Sequence, residues 1–283
     1  MKTSICHIHV LDLGRVQLDS SFLVLGRNPG VKQLVPVYAY VIFAGDQRIL
    51  VDTGFRSCEI MKRIGMIGTQ APENTMEAQL KSIGLAPDDI TMIVHTHLHI
   101  DHAGRTDLFP MSVPVVVDRD ELAFSVCGVG GYQPEDIKHL IDRLHTPQAL
   151  RFLDLKLTGP ITLAPGVRCI SAQGHTDGSL ILDVTTKGGQ IAICGDLLYD
   201  VEHQVVEPHQ TKILDEPRVT GNHTASKIKE SAAIKRLLSS FETILPSHDA
   251  AARISGGRVI SRPEFNDIEG VSYGAKMTTD SPT

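Results

Sequence analysis

Long apolar runs are missing from this sequence. No run of 18 apolar residues occurs, and the N-terminus lacks the apolar segment of a secretory signal peptide. These absences predict a cytoplasmic protein with no membrane span. No block of basic residues occurs either, and the net charge is −6 with an isoelectric point near 6.1. A nucleic-acid partner is therefore disfavoured.

Cysteine is scarce and is not arranged in pairs. The five cysteines are scattered and form no C-x-x-C pair, and two of them lie within apolar runs: Cys6, Cys58, Cys127, Cys169 and Cys194. This pattern predicts free buried thiols in a reducing compartment. The hydrophobic fraction of 42% is ordinary for a globular protein with a sizeable core.

One stretch, from His95 to Gly104, concentrates metal-binding side chains. It follows an apolar run, residues 90–94, that predicts a buried strand. Imidazole and carboxylate together suit divalent metals, zinc first. In an extended segment the first two ligands point the same way, while the last two lie where the chain leaves the strand and can face a second ion. The four candidates are His97, His99, Asp101 and His102. His95 lies outside this spacing and is expected to pack or hydrogen-bond nearby.

The spacing His97-x-His99-x-Asp101-His102 resembles the metal motif of the metallo-β-lactamase superfamily. The resemblance covers roughly residues 35–250. It implies an αβ/βα sandwich of two mixed β-sheets with helices on the outer faces, and a site at one edge between the sheets. It also implies three further ligands in fixed order, each just past a strand-like run. The sequence offers His175 in Gly-His-Thr, Asp196 after residues 190–194, and His248 after residues 241–245.

The resemblance implies a site with two divalent ions. The first ion would be held by His97, His99 and His175, the second by Asp101, His102 and His248, and Asp196 would bridge both. Zinc is the default, and iron, cobalt or manganese also accept such mixed ligands. The implied nucleophile is a hydroxide that bridges the ions, in metal-assisted hydrolysis of an ester, lactone, thioester or amide. Asp52, in Asp-Thr-Gly, would orient a ligand from behind the metals.

Further residues narrow the reaction. Several β-lactam-hydrolysing relatives carry Cys where this chain has Asp196, which argues against a β-lactamase. Glyoxalase II-type thioesterases have an additional helical domain, and only 35 residues follow His248 here. Tyr199 stands three residues after Asp196. In the N-acyl-homoserine lactonases a tyrosine has the same spacing and points at the substrate carbonyl. Alone, a tyrosine there is equally typical of a packed strand end. One departure is Asp177, where proline is common in that group.

The leading hypothesis is a lactonase that opens N-acyl-homoserine lactones, as in quorum quenching, with Asp101 and Tyr199 as catalytic residues. The alternative is a hydrolase of another cyclic ester or cyclic amide. A di-iron redox relative would carry Glu in place of His99 and a flavin domain, and an inactive scaffold would lose ligands. The expected partner is a small-molecule lactone, and the sequence leaves a homodimer open.

The spread of ligands from 97 to 248 predicts a single domain over residues 1–283, with a core at about 35–250 and a loosely ordered tail at about 270–283. Strands are predicted at 5–13, 20–25, 35–43 and 48–51, the last two joined at Gly45-Asp46. Thr75 and Gly84 are the predicted ends of a helix.

Three segments are less clear from the sequence. Residues 55–72 favour either a short amphipathic helix or a flap over a substrate pocket. Residues 127–150 resemble an insertion, and residues 200–223, with three histidines, indicate a solvated loop. An amphipathic helix is predicted at 224–238, and the side chains expected to face the sheet are Ala225, Ile228, Ala232 and Leu238.

Overall fold

The computed structural model describes residues 4–127, 130–211, 216–222 and 226–274. In these residues, strands numbered β1 to β15 in chain order form one sheet of eight strands and one of seven. The first sheet contains β1 His7–Asp19, β2 Lys32–Ala44, β3 Gln47–Val51, β4 Ile67–Thr69, β5 Met92–Val94, β6 Val115–Asp118, β7 Leu150–Leu153 and β15 Val271–Tyr273. The second contains β8 Ile161–Ala164, β9 Val167–Ser171, β10 Leu180–Thr186, β11 Gly189–Gly195, β12 Thr243–Pro246, β13 Ala252–Ser255 and β14 Arg258–Ser261.

The strand order places the segments that follow several of the strands at the same edge of each sheet. The first sheet runs β15-β1-β2-β3-β5-β6-β7, with β4 paired to β1, and the second runs β14-β13-β12-β11-β10-β9-β8. Strands β3, β5, β6 and β7 are parallel neighbours, as are β11 and β12. Parallel neighbours end at the same edge of a sheet, so the segments that follow them lie side by side.

Eight α-helices complete the part of the chain that the structure describes. They are α1 Ser20–Leu23, α2 Cys58–Lys62, α3 Met76–Ser82, α4 Arg119–Ser125, α5 Pro134–Leu144, α6 Leu155–Thr158, α7 Glu207–Thr211 and α8 Lys227–Ser240. A π-helical segment, Glu202–Val206, leads directly into α7. None of the described helices is both long enough and apolar enough to cross a lipid bilayer.

Three apolar clusters fill the spaces between the layers. Successive side chains of a strand point to opposite faces. Leu50 of β3 accordingly packs in the cluster that contains α3 and α5, and Val51 packs between the two sheets. In β11, Ile193 faces the first sheet and Cys194 faces α8. The layers are therefore helices, sheet, sheet and helix, which confirms the predicted αβ/βα sandwich.

Two local predictions are confirmed by capping and turn geometry. The strands β2 and β3 form a hairpin that turns at Gly45, whose φ is +61°. The side chain of Thr75 accepts a hydrogen bond from the Ala78 backbone at the start of α3, and the helix ends before Gly84, whose φ is +75°. Glycine adopts this left-handed conformation without the steric cost that a β-carbon brings.

The strand predicted at residues 20–25 is wrong. Strand β1 continues to Asp19, and the next residues form the short helix α1. The Asp19 carboxylate accepts hydrogen bonds from the Ser21 backbone N–H and hydroxyl, at 3.0 and 2.6 Å. An Asp in this position satisfies a free N–H at a helix start, and that local capping outweighs the strand propensity of the apolar residues that follow.

The segment at 55–72 contains both a helix and a strand. Helix α2 buries Met61, and β4 pairs with β1 at the edge of the first sheet. The predicted helix is confirmed as α8, and its predicted inward face is right at Leu238, which is 4% exposed, and wrong at Ile228. Ile228, expected to face the sheet, is 85% exposed, while Glu230 is buried. The Glu230 carboxylate accepts a hydrogen bond from the Thr220 backbone N–H at 2.7 Å, and this hydrogen bond helps to stabilise the buried carboxylate.

In the segment predicted as a solvated loop, 200–223, residues 202–211 are helical and several of the described side chains are buried. Gln204 and Val205 are fully buried, and Asn222 is 4% exposed. The segment predicted as an insertion, 127–150, contains α5. The predicted core also extends further than expected, because β15 pairs with β1. His223, Ala225 and the end of the predicted tail, residues 275–283, lie outside the described residues.

The cysteine prediction is confirmed in part. All five cysteines are free, and Cys6, Cys169 and Cys194 are buried. Cys58 is only half-buried and Cys127 is exposed, which contradicts the expectation of burial for these two. Both lie at the periphery, in or next to the short helices α2 and α4, and neither belongs to a central strand.

Arg143 of α5 is fully buried and binds the backbone of the loop that follows the His95–Gly104 stretch. Its guanidinium donates to the carbonyls of Val113 at 2.8 Å and Phe109 at 2.6 Å, and to those of Thr106 and Pro110 at 3.4 and 3.3 Å. Such a fork of donors satisfies carbonyls that no strand partner reaches. Helix α5 thus fixes the loop beside the candidate site.

Replacing this arginine should destabilise the fold. In Arg143→Met the apolar stem is retained, but the carbonyls of Val113 and Phe109 lose their donor, so we expect the free energy of unfolding to fall by about 2–4 kcal/mol. Urea titration followed by circular dichroism measures it. Arg119→Met is the control: Arg119 pairs with Asp154 at the surface, and such a pair contributes less than about 1 kcal/mol. Equal losses in the two variants would contradict the assigned role.

Candidate metal centre

The seven predicted ligands all follow strands and meet at one edge of the sandwich. Residues 97–102 follow β5, His175 lies between β9 and β10, Asp196 follows β11 and His248 follows β12. Hydrogen bonds join the two sheets here: the backbone N–H of Leu180 donates to the carbonyl of Thr96 at 2.9 Å. The segments that present the ligands are therefore held by strand ends on both sides of the site.

The first cluster contains His97, His99, His175 and Asp196. One ligand atom from each of these lies within 4.8 Å of the others, and all four residues are buried. The Nε2 atoms of His97 and His175 lie 3.6 and 3.5 Å from Asp196 Oδ2. His99 presents Nδ1 to His175 Nε2 at 2.9 Å. Three imidazoles and one carboxylate oxygen thus converge on one point.

The second cluster contains Asp101, His102 and His248, again within 4.8 Å of one another. The Oδ1 atom of Asp196 lies 3.0 Å from His102 Nε2 and 3.2 Å from His248 Nε2. Asp101 Oδ2 lies 3.5 Å from His248 Nε2. The two oxygens of Asp196 therefore face different clusters, which is the arrangement that a bridging carboxylate requires.

Asp52 lies behind both clusters, where the sequence places it. Its φ is +61°, and its Oδ2 accepts hydrogen bonds from His102 Nδ1 at 2.8 Å and from the Thr96 hydroxyl at 2.7 Å. Because the Thr96 hydroxyl donates to Asp52, it can accept from His97 Nδ1, 3.1 Å away. Both imidazoles then carry their proton on Nδ1 and present the Nε2 lone pair to the site. His95 hydrogen-bonds Thr106 at 2.9 Å, as expected of a residue beside the ligands.

Burial and charge set the protonation states that ligands need. Burial lowers the pKa of His99 to about 4 and that of His175 to about 3. Burial alone would raise the pKa of Asp196, but His102 and the imidazoles around it hold that pKa well below its usual range. In the first cluster, an ionised Asp196 beside the neutral imidazoles of His99 and His175 is the state in which these groups bind metal.

The contact between His102 and Asp196 tests whether the site fits cations. With Nδ1 donating to Asp52, the Nε2 lone pair of His102 faces Asp196 Oδ1 at 3.0 Å. Two acceptors face each other only if a proton or a metal ion supplies positive charge between them. The pKa of His102 reflects the same need: burial opposes the charged form, but Asp196 and Asp52 raise the pKa well above its usual value.

Other site atoms also lack partners. In the described ranges, buried atoms without a hydrogen-bond partner include His97 Nε2, His102 Nε2, His248 Nε2 and both carboxylate oxygens of Asp196. Buried polar atoms are normally paired, so a concentration of unpaired ones indicates a missing ligand. The donor set fits two divalent metal ions.

Tyr199 lies against the same clusters. Its ring stacks on that of His248, with centroids 4.9 Å apart and planes at 3°, and it contacts His175 edge-on at 5.6 Å. The side chain is buried, and burial together with the charges of Asp196 and Asp101 raises its pKa well above the usual value. Its hydroxyl therefore stays protonated and remains a hydrogen-bond donor.

Comparison with known protein families agrees with this geometry. A family model described as the metallo-beta-lactamase superfamily matches residues 33–248. The chain belongs to this superfamily. The match ends at the last predicted ligand, His248, and begins inside β2, so the superfamily region contains every residue of both clusters.

Curated relatives are similar over much of the chain. An N-acyl homoserine lactonase of Bacillus cereus is 29% identical over 208 residues, which are 69% of this chain and 77% of the relative. The N-acyl homoserine lactonase AiiB of Agrobacterium fabrum is 29% identical over 269 residues, which are 86% of this chain and 93% of the relative.

Solved structures share the fold. An N-acyl homoserine lactone hydrolase with N-hexanoyl-L-homoserine bound at its metal centre matches with a TM-score of 0.70 and 24% identity, covering 87% of this chain and 94% of its own. The dizinc quorum-quenching lactonase AidC matches with a TM-score of 0.64 and 18% identity, covering 93% and 96%. At these identities the likeness shows the fold alone.

Three residues beside the clusters were missed from the sequence. Asn222 places its side-chain amide 3.3 Å from His175 Nδ1. The ring of Tyr132 packs on His99 with centroids 4.7 Å apart. Glu121 is buried among backbone and hydroxyl donors. Asn222 stood in a segment predicted as a solvated loop, and Glu121 lies in the first turn of α4, where acidic residues are common without any role in a site.

The segment around Tyr132 was predicted as an insertion, yet it is part of the wall around the first cluster. The Ile100 backbone N–H donates to the Gly131 carbonyl at 2.8 Å. Gly131 has φ +97°, and a β-carbon there would lie 2.7 Å from His99 Cδ2. A glycine is required where the backbone approaches a ligand this closely.

Proposed function

We propose that this chain is a dinuclear-metal hydrolase that opens the ring of N-acyl homoserine lactones, as in quorum quenching. The observation that carries the proposal is the position of Asp196, whose two oxygens face two histidine clusters. Tyr199 beside the clusters and the similarity to curated lactonases favour a lactone as the substrate.

The residues proposed to hold the ions are those predicted from the sequence. His97, His99 and His175 would hold the first ion, Asp101, His102 and His248 the second, and Asp196 would contribute to both. We propose zinc as the native metal, because neutral imidazole and carboxylate suit it well. When bound, two such ions activate water as a nucleophile near neutral pH and polarise the carbonyl that is attacked.

Two side chains would then act on the substrate. The protonated hydroxyl of Tyr199 donates a hydrogen bond to the lactone carbonyl oxygen, and this bond strengthens as negative charge develops on that oxygen. The carboxylate of Asp101 lies at the second cluster, 3.5 Å from His248, where it can accept a proton from the attacking water and return it to the leaving oxygen. Both roles use atoms that face the clusters.

Three further proposals follow the sequence. The chain forms a single domain over residues 1–283, it works in the cytoplasm, and it can assemble as a homodimer. Free cysteines, three of them buried, fit the reducing compartment. Sedimentation equilibrium measures the mass of the native particle and decides between monomer and dimer.

The activity is tested on protein whose metal content has been measured. Ring opening releases a proton, so a pH-stat records it directly with N-hexanoyl and N-dodecanoyl homoserine lactone. We expect turnover of at least one of them with two ions bound per chain, and none after chelation. Full occupancy without turnover of either lactone would overturn the proposal. A panel of other cyclic esters and cyclic amides would then identify the substrate class.

A further inference from the structure

Glu121 is a fully buried carboxylate of α4 that lies beside the first cluster. Its Oε1 accepts hydrogen bonds from the Leu98 backbone N–H and from the Tyr132 hydroxyl, both at 2.9 Å. Its Oε2 accepts one from the Thr176 hydroxyl at 2.5 Å. A carboxylate with this many donors is well satisfied without a cationic partner.

The three donors belong to the three segments that surround the first cluster. Leu98 lies between His97 and His99 in the sequence, and Thr176 follows His175. The ring of Tyr132 packs on His99. One carboxylate therefore connects the backbone or packing of every histidine in this cluster, although it touches none of the proposed ligand atoms.

Close packing makes these hydrogen bonds possible. The turn that carries His175 lies directly on the start of α4, and a β-carbon at Gly178 would lie 2.1 Å from the Glu121 backbone nitrogen. Only glycine allows this approach, because any side chain would push the turn away from the helix. The Glu121 carboxylate can then reach the Thr176 hydroxyl.

The second cluster is oriented by other groups. His102 Nδ1 donates to Asp52 at 2.8 Å, and His248 Nδ1 donates to the Pro36 carbonyl at 2.7 Å. Neither of these partners hydrogen-bonds Glu121 in the described part of the chain. Asp52 also supports His97 through the Thr96 hydroxyl, whereas Glu121 contacts only segments of the first cluster, so a change at Glu121 should act on that cluster selectively.

We propose that Glu121 is a positioning residue for the first metal site, which sets the affinity for that ion by holding the segments of His97, His99 and His175 in register. This inference rests on the proposed function for its assignment of ligands. Groups that orient ligands without touching the metal typically change metal affinity by about 10- to 100-fold when they are replaced.

The test is a stepwise cobalt titration of the whole chain after metal removal, followed by visible absorption and by competition with a chelator. The substitution Glu121→Gln replaces one carboxylate oxygen with an NH₂ group, which then faces the hydrogen-bond donors that Glu121 accepts from. We expect the dissociation constant of the first-site ion to rise about 10- to 100-fold, while that of the second-site ion stays the same. His175→Ala, which lacks a first-site ligand, provides the reference spectrum of the ion that remains.

Two further variants make the result interpretable. Tyr132→Phe removes a single donor and keeps the ring on His99, so it reports on the same site if Glu121→Gln fails to fold. We expect a smaller loss in the same titration step. The control is Asp118→Asn at the start of the same helix: Asp118 is buried and accepts hydrogen bonds from Asp120 and Leu155, away from both clusters. We expect both titration steps to be unchanged in this control.

A selective loss of the first-site ion in Glu121→Gln or Tyr132→Phe supports the proposal. Equal weakening of both ions, unchanged affinity, or the same loss in Asp118→Asn would overturn it. The readout is metal binding, which requires no substrate. If Glu121→Gln shows the selective loss but the wild-type chain opens no lactone, the proposed function is contradicted and the role of Glu121 is still supported.

Discussion

Asp196→Asn should lose lactone hydrolysis almost completely, with a fall in kcat/KM of more than about 10³-fold. Asp196 is the residue that faces both clusters, through Oδ1 toward His102 and His248 and through Oδ2 toward His97. An amide keeps the shape but removes the negative charge, and its NH₂ group points a donor at one of the two ion positions. Water activation near neutral pH depends on those ions, which explains the size of the effect. Steady-state kinetics and metal analysis measure it.

The control for this substitution is Asp183→Asn on the neighbouring strand β10. Asp183 is also buried, and it binds the Arg168 guanidinium outside the site. We expect this variant to lose stability but to keep two ions and most of its activity. Urea unfolding in the presence of chelator should show that metal-free Asp196→Asn folds. Wild-type rates with Asp196→Asn, or two tightly bound ions, would disprove the bridging role.

The ligand set of the candidate site could be predicted because the motif from His97 to His102 resembles that of the metallo-β-lactamase superfamily, which implies the further ligands. The pattern of an apolar run followed by a histidine or aspartate recurs before His97, Asp196 and His248. In the structure, Asp196 and His248 follow the parallel neighbours β11 and β12, which brings these two residues together. The same local logic predicted the hairpin at Gly45 and the start of α3 at Thr75.

The residues that surround the ligands could not be predicted in this way. Glu121 reaches the first cluster because Gly178 lets a distant turn pack on its helix, and this approach is a tertiary contact with no local signal. Asn222 and the inward face of α8 depend on the same kind of contact, since Glu230 turns inward to bind the Thr220 backbone. Hydrophobic periodicity describes which face is apolar, and it misses a buried polar side chain that has found its partners.

Tyr199→Phe is the second substitution with a large expected effect. The phenylalanine ring retains the stacking on His248 and the edge contacts with His175 and Phe22, so the variant removes the hydroxyl alone. Loss of a single donor to a developing oxyanion typically lowers kcat about 10²- to 10³-fold. We expect kcat to fall by about 10²-fold, with a smaller change in KM, because the hydrogen bond is strongest in the transition state.

Metal content separates this role from a structural one. Tyr199 is none of the seven proposed ligands, so Tyr199→Phe should bind two ions with wild-type affinity while turning over slowly. Tyr273→Phe is the matched control. The Tyr273 hydroxyl donates to Asp12 at 2.9 Å, and Asp12 belongs to neither cluster. Removal of this hydroxyl should leave kcat unchanged. If Tyr199→Phe lowered metal affinity instead of kcat, the hydroxyl would support the site rather than the substrate, and carbonyl polarisation would depend on the ions alone.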